Sequence, residues 1–184
     1  MYATIATTLG VLAIAAVALG LGLAFALATP RGRGHLVRTL GGHERHPIAW
    51  AWAVAVLATC GSLYFSEIAH LTPCSLCWYQ RIAMYPLVFV LGVGAVRGDP
   101  GVWRYALPLA TVGLLIAGYH VALEWQPALD VGMCGAGPPC SLRYFAVFGF
   151  VSIATMSGAA FLLILALLGL LRTLDRHGEE QPIL

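Results

Sequence analysis

Apolar residues along this chain run in long unbroken blocks instead of recurring at the 3.6-residue or 2-residue period of a half-buried helix or strand. Five blocks, at residues 3–28, 48–71, 78–96, 105–125 and 144–171, contain few charges. Each reaches the roughly 20 helical residues needed to cross about 30 Å of hydrocarbon. No block alternates apolar and polar positions over about ten residues, as a transmembrane strand does. The pattern predicts an all-α membrane protein with five spanning helices. Residues 1–29 form an N-terminal anchor helix, 30–47 a basic loop, 48–171 the main bundle and 172–184 a short, charged, frayed tail.

Composition fixes the solvent. With 60% apolar and 10% charged residues and a mean hydropathy of +0.84, 184 residues have too little polar surface to coat a soluble globule, and the lipid bilayer is the implied partner. A net charge of +2 with no basic cluster interleaved with aromatics gives no sign of nucleic-acid binding. The placement of charge is more informative than its sum. Arg31, Arg33, Arg38 and Arg45 fall in the first loop, Arg97 and Arg104 in the third, and Arg172 and Arg176 in the tail, and there is no lysine. The positive-inside rule puts these segments in the cytoplasm, with the N-terminus outside and the C-terminus inside. Trp50, Trp52 and Trp103 then lie at inner boundaries, and Trp78 and Trp125 at outer ones. Ala26-Leu27-Ala28 loosely resembles a cleavage site, but the first apolar run is too long and its leading end too uncharged for a secretory signal, so a retained anchor is expected.

In this frame four of the five cysteines face outward, in two pairs: Cys74 with Cys77 before the third block, and Cys134 with Cys140 before the fifth. An extracytoplasmic space is where disulfides form and persist. Cys60, inside the second block, reads as a small apolar residue. Two pairs on one side of a membrane point to thiol–disulfide exchange. Cys77 is expected to open a helix, where free N–H groups favour a thiolate, with Arg81 four residues on over the same face.

The run Cys74-Ser75-Leu76-Cys77-Trp78-Tyr79-Gln80-Arg81, followed by Ile82-Ala83-Met84-Tyr85-Pro86-Leu87, resembles the first catalytic motif of the disulfide bond formation protein B (DsbB) family, and most of all its BdbC branch. The resemblance extends over residues 48–171 and takes in Cys134, Cys140 and His120. It implies a four-helix transmembrane bundle, to which residues 1–29 add a helix without counterpart. It also implies a bacterial cytoplasmic-membrane oxidase. Such an enzyme re-oxidises a soluble or tethered thioredoxin-fold (DsbA-like) thiol oxidase and passes the electrons to a membrane quinone.

By that resemblance Cys134 and Cys140 take electrons from the partner, Cys74 and Cys77 re-oxidise them, and quinone accepts electrons beside Cys77 with Arg81 at the quinone. The expected relay has the partner's thiolate attack Cys134 and Cys140 attack Cys74, releasing Cys77 as the thiolate that reduces the quinone. The quinone is menaquinone or ubiquinone; a residue bias suggestive of a GC-rich genome points to menaquinone. Gln80 departs from the acidic residue of better-known members. Only six positions separate Cys134 from Cys140, with Gly135, Gly137, Pro138 and Pro139 as turn formers between them.

Quinol formation also consumes two protons. His120 and Glu124, at i and i+4, and Glu67 and His70, at i and i+3, are the candidate relays near outer helix ends. Competing readings are a vitamin K epoxide reductase-like enzyme, whose loop cysteines would precede the Cys-x-x-Cys pair, and a non-enzymatic protein with structural disulfides or a four-thiolate zinc site. Arg81 beside the thiolates opposes a bound cation, so no metal is expected. His35, His43, His46 and Glu44 match no closed zinc spacing. Gly92, Gly94, Gly113, Gly118 and Gly158 are expected to let helices approach closely.

Overall fold

A computed structural model describes residues 2–41, 45–135 and 137–180. Among them the chain is helical, with a lone antiparallel bridge between Val147 and Val151. Six α-helices follow one another: α1 (Tyr2–Ala28), α2 (Pro30–Leu40), α3 (Arg45–Leu63), α4 (Ser75–Arg97), α5 (Trp103–Trp125) and α6 (Ile153–Glu180). Five of them, all but α2, are long and apolar enough to cross a membrane, so the protein is a multi-pass membrane protein.

The bundle core is built by α3, α4, α5 and α6, where Leu87, Leu91, Ala110, Phe161 and Ile164 are fully or nearly fully buried. With hydrocarbon outside as apolar as the side chains inside, close packing and not hydrophobic exclusion must hold such helices together. Small residues provide it. A Cβ on Gly113 would overlap the Phe161 ring, and one on Gly94 would come within 2.8 Å of Val102. A Cβ on Gly92 would crowd the Trp52 indole and one on Gly158 would make only ordinary contact with Ala117, while one on Gly118 would meet nothing within 4 Å. α1 lies outside this core along α6, with Gly10 against Val147 and Met156 and Gly20 against Leu162 and Leu163.

Three elements depart from the reading of the sequence. First, residues 30–40 are a helix and not a loop: Pro30 occupies its first turn and the Thr29 hydroxyl accepts the Gly32 N–H, both helix-starting devices. Second, α6 begins at Ile153, not near residue 144. Ser152 and Thr155 cap each other's backbone N–H reciprocally, and Phe148 and Gly149 just before them have positive φ, so the apolar residues 144–151 belong to a longer loop. Third, α6 runs on to Glu180, into the tail expected to fray. Asp175 accepts the Trp103 indole N–H at 2.8 Å and lies 3.9 Å from Arg104, while Arg172 stacks on Trp103. His43, Glu44 and residues 181–184 lie outside the described residues.

The connectivity places the start of α4, the end of α5 and the start of α6 at one end of the bundle. At that end α3 widens into a π-turn, Tyr64–Ile68, a device frequent near functional sites. Its Phe65 packs on Phe145 of the last loop. All four paired cysteines are gathered there.

Candidate functional site

Pro73 and Cys74 end an extended segment, and Cys74 is the N-cap of α4, its φ and ψ of −76° and 173° outside the helical region. Its Sγ accepts the Cys77 backbone N–H at 3.3 Å, and the Cys77 Sγ lies 2.9 Å away. The helix end therefore acts on Cys74. The sequence reading had given that N–H field to Cys77, which instead sits in the first turn and donates. The thiol of Cys77, with the His120 imidazole and the Cys77 N–H, outweighs burial and draws the Cys74 thiol from the ordinary range down to about 4.

Cys134 and Cys140 are joined in a disulfide, their Cα atoms 5.9 Å apart. Cys140 is buried with Cys74, Leu76 and Leu123 in a small cluster on which Cys77, Cys134 and Tyr119 pack. The loop disulfide thus lies directly over the Cys74–Cys77 pair. A four-thiolate metal site is not assembled by this arrangement. Cys74, Cys77 and His120 do bring three ligand-type atoms within 4.8 Å of one another, a spacing that serves sulfur exchange as well as it would a soft ion.

His120, buried on α5, ties the two pairs together. Its Nε2 lies 3.1 Å from the Cys140 carbonyl oxygen and 3.6 Å from Cys74 Sγ. A carbonyl only accepts, so Nε2 carries the proton; Nδ1 is then the acceptor for the Gln80 amide at 3.2 Å. Gln80, noted in the sequence only as a departure from the family pattern, is the residue that meets the other ring nitrogen of this tautomer. Its signal was its position, three residues after Cys77 on one helical face.

Arg81, 9% exposed, is held by Ser62 of α3: Nε donates to the hydroxyl at 3.0 Å and a terminal nitrogen to the carbonyl at 3.1 Å. Its guanidinium lies 5.1 Å from the centre of the Trp78 ring. Ser62 was not foreseen, and nothing local in the sequence marks it. Glu124 faces Arg143 at 3.5 Å, and Arg143 stacks on Trp125 at 4.2 Å. The Tyr144 hydroxyl donates to the Thr72 carbonyl at 2.7 Å, fastening the last loop over the start of α4. Glu67 and His70 are exposed, and neither borders a cavity of the site; Glu67 instead contacts Ser66.

Two cavities meet at Cys77. One, of about 20 Å³, is bounded by Cys74, Cys77, His120, Glu124, Arg143 and Ser152. Its lining mixes these polar and ionisable groups with Pro138, Pro139, Leu142 and Ile153, and it is large enough for one water. The other, of about 340 Å³, opens between helices and is apolar save for Ser62, Ser66, Thr72, Gln80, Arg81, Tyr144 and Ser157. It is large enough for a ring-sized ligand. Cys77 therefore lies between a small cavity that carries ionisable groups and a large apolar one.

A sequence profile described as "Disulfide bond formation protein DsbB" matches residues 44–171. Among curated proteins, the chain is 45% identical over 123 residues to the "Disulfide bond formation protein C" of Bacillus subtilis, covering 66% of this chain and 89% of the relative. It is 44% identical over 125 residues to the "Probable disulfide formation protein C 2" of Bacillus cereus, covering 68% and 90%. A "Probable disulfide formation protein" of Coxiella burnetii is 40% identical over 112 residues, covering 60% and 76%. No solved structure gives a significant match.

Proposed function

The chain belongs to the DsbB family of disulfide bond formation proteins, and on that premise we propose that it oxidises an extracytoplasmic thioredoxin-fold dithiol protein and delivers the electrons to a membrane quinone. The observation that carries this reading is the position of Cys77, which borders both a small cavity carrying the ionisable groups of His120, Glu124 and Arg143 and a large apolar cavity between the helices. A thiol placed between those two cavities suits the hand-over from aqueous thiols to a lipid-soluble acceptor.

The relay balances through thiolate attacks. A partner thiolate attacks Cys134 Sγ, forming a mixed disulfide and releasing Cys140 as a thiolate. Cys140 attacks Cys74 of the oxidised Cys74–Cys77 pair, which frees the Cys77 thiolate on the side of the apolar cavity. The partner's second cysteine displaces Cys134, leaving the partner oxidised, and Cys134 attacks Cys140 to restore the loop disulfide. Cys74 leaves in that step, and a thiol held near a pKa of about 4 is a good leaving group. Re-forming the Cys74–Cys77 bond gives up two electrons, which a quinone held at the apolar cavity would accept together with two protons.

The chain's own residues supply the rest. Arg81, fixed by Ser62 and Trp78, offers positive charge at the cavity wall. His120 holds Cys74 and Cys140 in one frame and, through Nε2, has a proton to move. Glu124 borders the same water-sized cavity and can restore that proton from solvent. These groups fit a quinone: the polar atoms cluster at one end of the apolar cavity, as a carbonyl-bearing ring on an apolar tail requires.

Trapping tests the order of attack. With a partner whose second cysteine is replaced by serine, attack on the native Cys134–Cys140 disulfide leaves a mixed disulfide that the partner cannot resolve; the expected product, mapped by peptide mass spectrometry, is one partner per chain on Cys134. The single-cysteine partner recovered on Cys140 and not on Cys134 would reverse the two roles.

A further inference from the structure

The apolar cavity is walled on one side by a helix that the family does not account for. α1 ends at Ala28, well before the matched region begins at residue 44. Leu9, Leu12, Ala13, Ala16 and Leu19, at i, i+3, i+4, i+7 and i+10, lie on one face of it and line that cavity. Trp50, Val54 and Ala58 of α3 line the opposite wall.

α1 packs along α6 and stands off from α3 over most of its length. It comes up to α3 near the cysteine end, where a Cβ added at Gly61 would lie 3.3 Å from Leu9. The result is a groove between α1 and α3, pinched at one end by Leu9 and Gly61. It runs from the level of Ser62 and Arg81 to that of Trp50, twelve residues down α3 or about 18 Å. Its polar groups sit toward the Arg81 end, and the rest is aliphatic or indole surface. A ring seated beside Cys77 would have its substituent directed along this groove.

We propose that α1 is a substrate-binding element: it completes the site by holding the isoprenoid tail of the membrane quinone against α3. This rests on the quinone reading above and adds to it the part of the acceptor that the extra helix recognises. The small residues Ala13 and Ala16 keep the groove open, and Leu12 and Leu19 give it apolar contact area. The four-helix core alone would leave this flank open to lipid. With α1 in place, the protein favours quinones with long tails over short ones.

The test uses the full-length protein with a reduced thioredoxin-fold dithiol protein as donor. The acceptors are two quinones with one headgroup, carrying a single isoprene unit or a long isoprenoid chain. The expected result is a lower KM for the long-tailed quinone in the native chain. Ala16→Trp, which fills the groove, should raise that KM about tenfold, the loss of a few buried methylene contacts. Leu21→Trp, on the lipid-facing side of α1 with Leu21 55% exposed, should leave it unchanged. An Ala16→Trp protein that keeps the native preference for the long tail would overturn the inference.

A second arm needs no substitution: a quinone with a photoactivatable group in its tail is crosslinked to the native protein and the labelled peptides are mapped. Label on residues 9–19, displaced by excess long-tailed quinone but not by phospholipid, is the expected outcome. Label confined to α3, α4 and α6, or displaced equally by phospholipid, would show α1 to be a packing or lipid-contact helix. Failure of the native protein to reduce either quinone would remove the quinone reading, and with it this inference.

Discussion

Cys74 Sγ receives the Cys77 thiol at 2.9 Å, the Cys77 N–H at 3.3 Å and the His120 imidazole at 3.6 Å. Each favours its thiolate, and together they bring its pKa to about 4. A depressed pKa stabilises the reduced fold above the ordinary thiol range of about 8.5, and that stabilisation is lost as pH falls through about 4. Alkylation of Cys74 in the reduced protein, followed by peptide mass spectrometry, should therefore stay at its plateau from neutral pH down to about pH 5 and fall below it. His120→Ala removes one of the three contacts and should move that midpoint upward. It should also slow quinone reduction by about 100-fold, the scale of a lost proton-transfer group, while exchange between partner and loop disulfide persists. Unchanged quinone kinetics in His120→Ala would take His120 out of the site. That the Cys-x-x-Cys pair, Arg81 and His120 belong to one candidate site was legible because these residues have recognisable spacing. The direction of the helix-end field was not: it depends on which cysteine falls at the cap, and α4 starts at Ser75, three residues before the expected start. Ser62 was equally hidden, since its role arises from a contact between helices 19 residues apart in sequence.

Helices crossing a membrane announce themselves by length and hydropathy, and all five were legible for that reason. Their ends were not, where apolar residues continue past the helix. Residues 144–151 read as the start of α6 because nothing in their hydropathy separates them from it; the Ser152 and Thr155 cap and the positive φ at Phe148 and Gly149 do. The consequence is functional, since the longer loop carries Arg143 to Glu124 and Tyr144 to Thr72. Glycine roles divide in a way that stability measurements can check. Gly113→Ala forces a methyl group into Phe161 and should destabilise the bundle by about 1–3 kcal/mol, seen as a lower unfolding midpoint in detergent. Gly118→Ala meets nothing within 4 Å and should be neutral or stabilising by about 0.5–1 kcal/mol through helix propensity. Equal loss in both would mean that the α5–α6 contact does not limit stability.

At the scale of the molecule, the paired cysteines gather at one end of the bundle and the arginines of α2, the α4–α5 turn and the end of α6 at the other. This segregation supports the proposed orientation, with the cysteines extracytoplasmic and α2 in the cytoplasm. A membrane-impermeant thiol reagent applied to intact cells after reduction should label Cys134 and Cys140, while a cysteine placed at Thr39 should react only in inverted vesicles; the opposite pattern would invert the topology. The central claim, that electrons entering at the loop disulfide leave through Cys77 to a quinone, is tested most directly by anaerobic stopped-flow. Purified protein is mixed with a reduced thioredoxin-fold dithiol protein and a soluble quinone while quinone absorbance is followed. Loss of quinone that depends on the dithiol protein and vanishes in Cys77→Ser is the predicted result. Quinone left intact by the native protein, or consumed equally by Cys77→Ser, would contradict it.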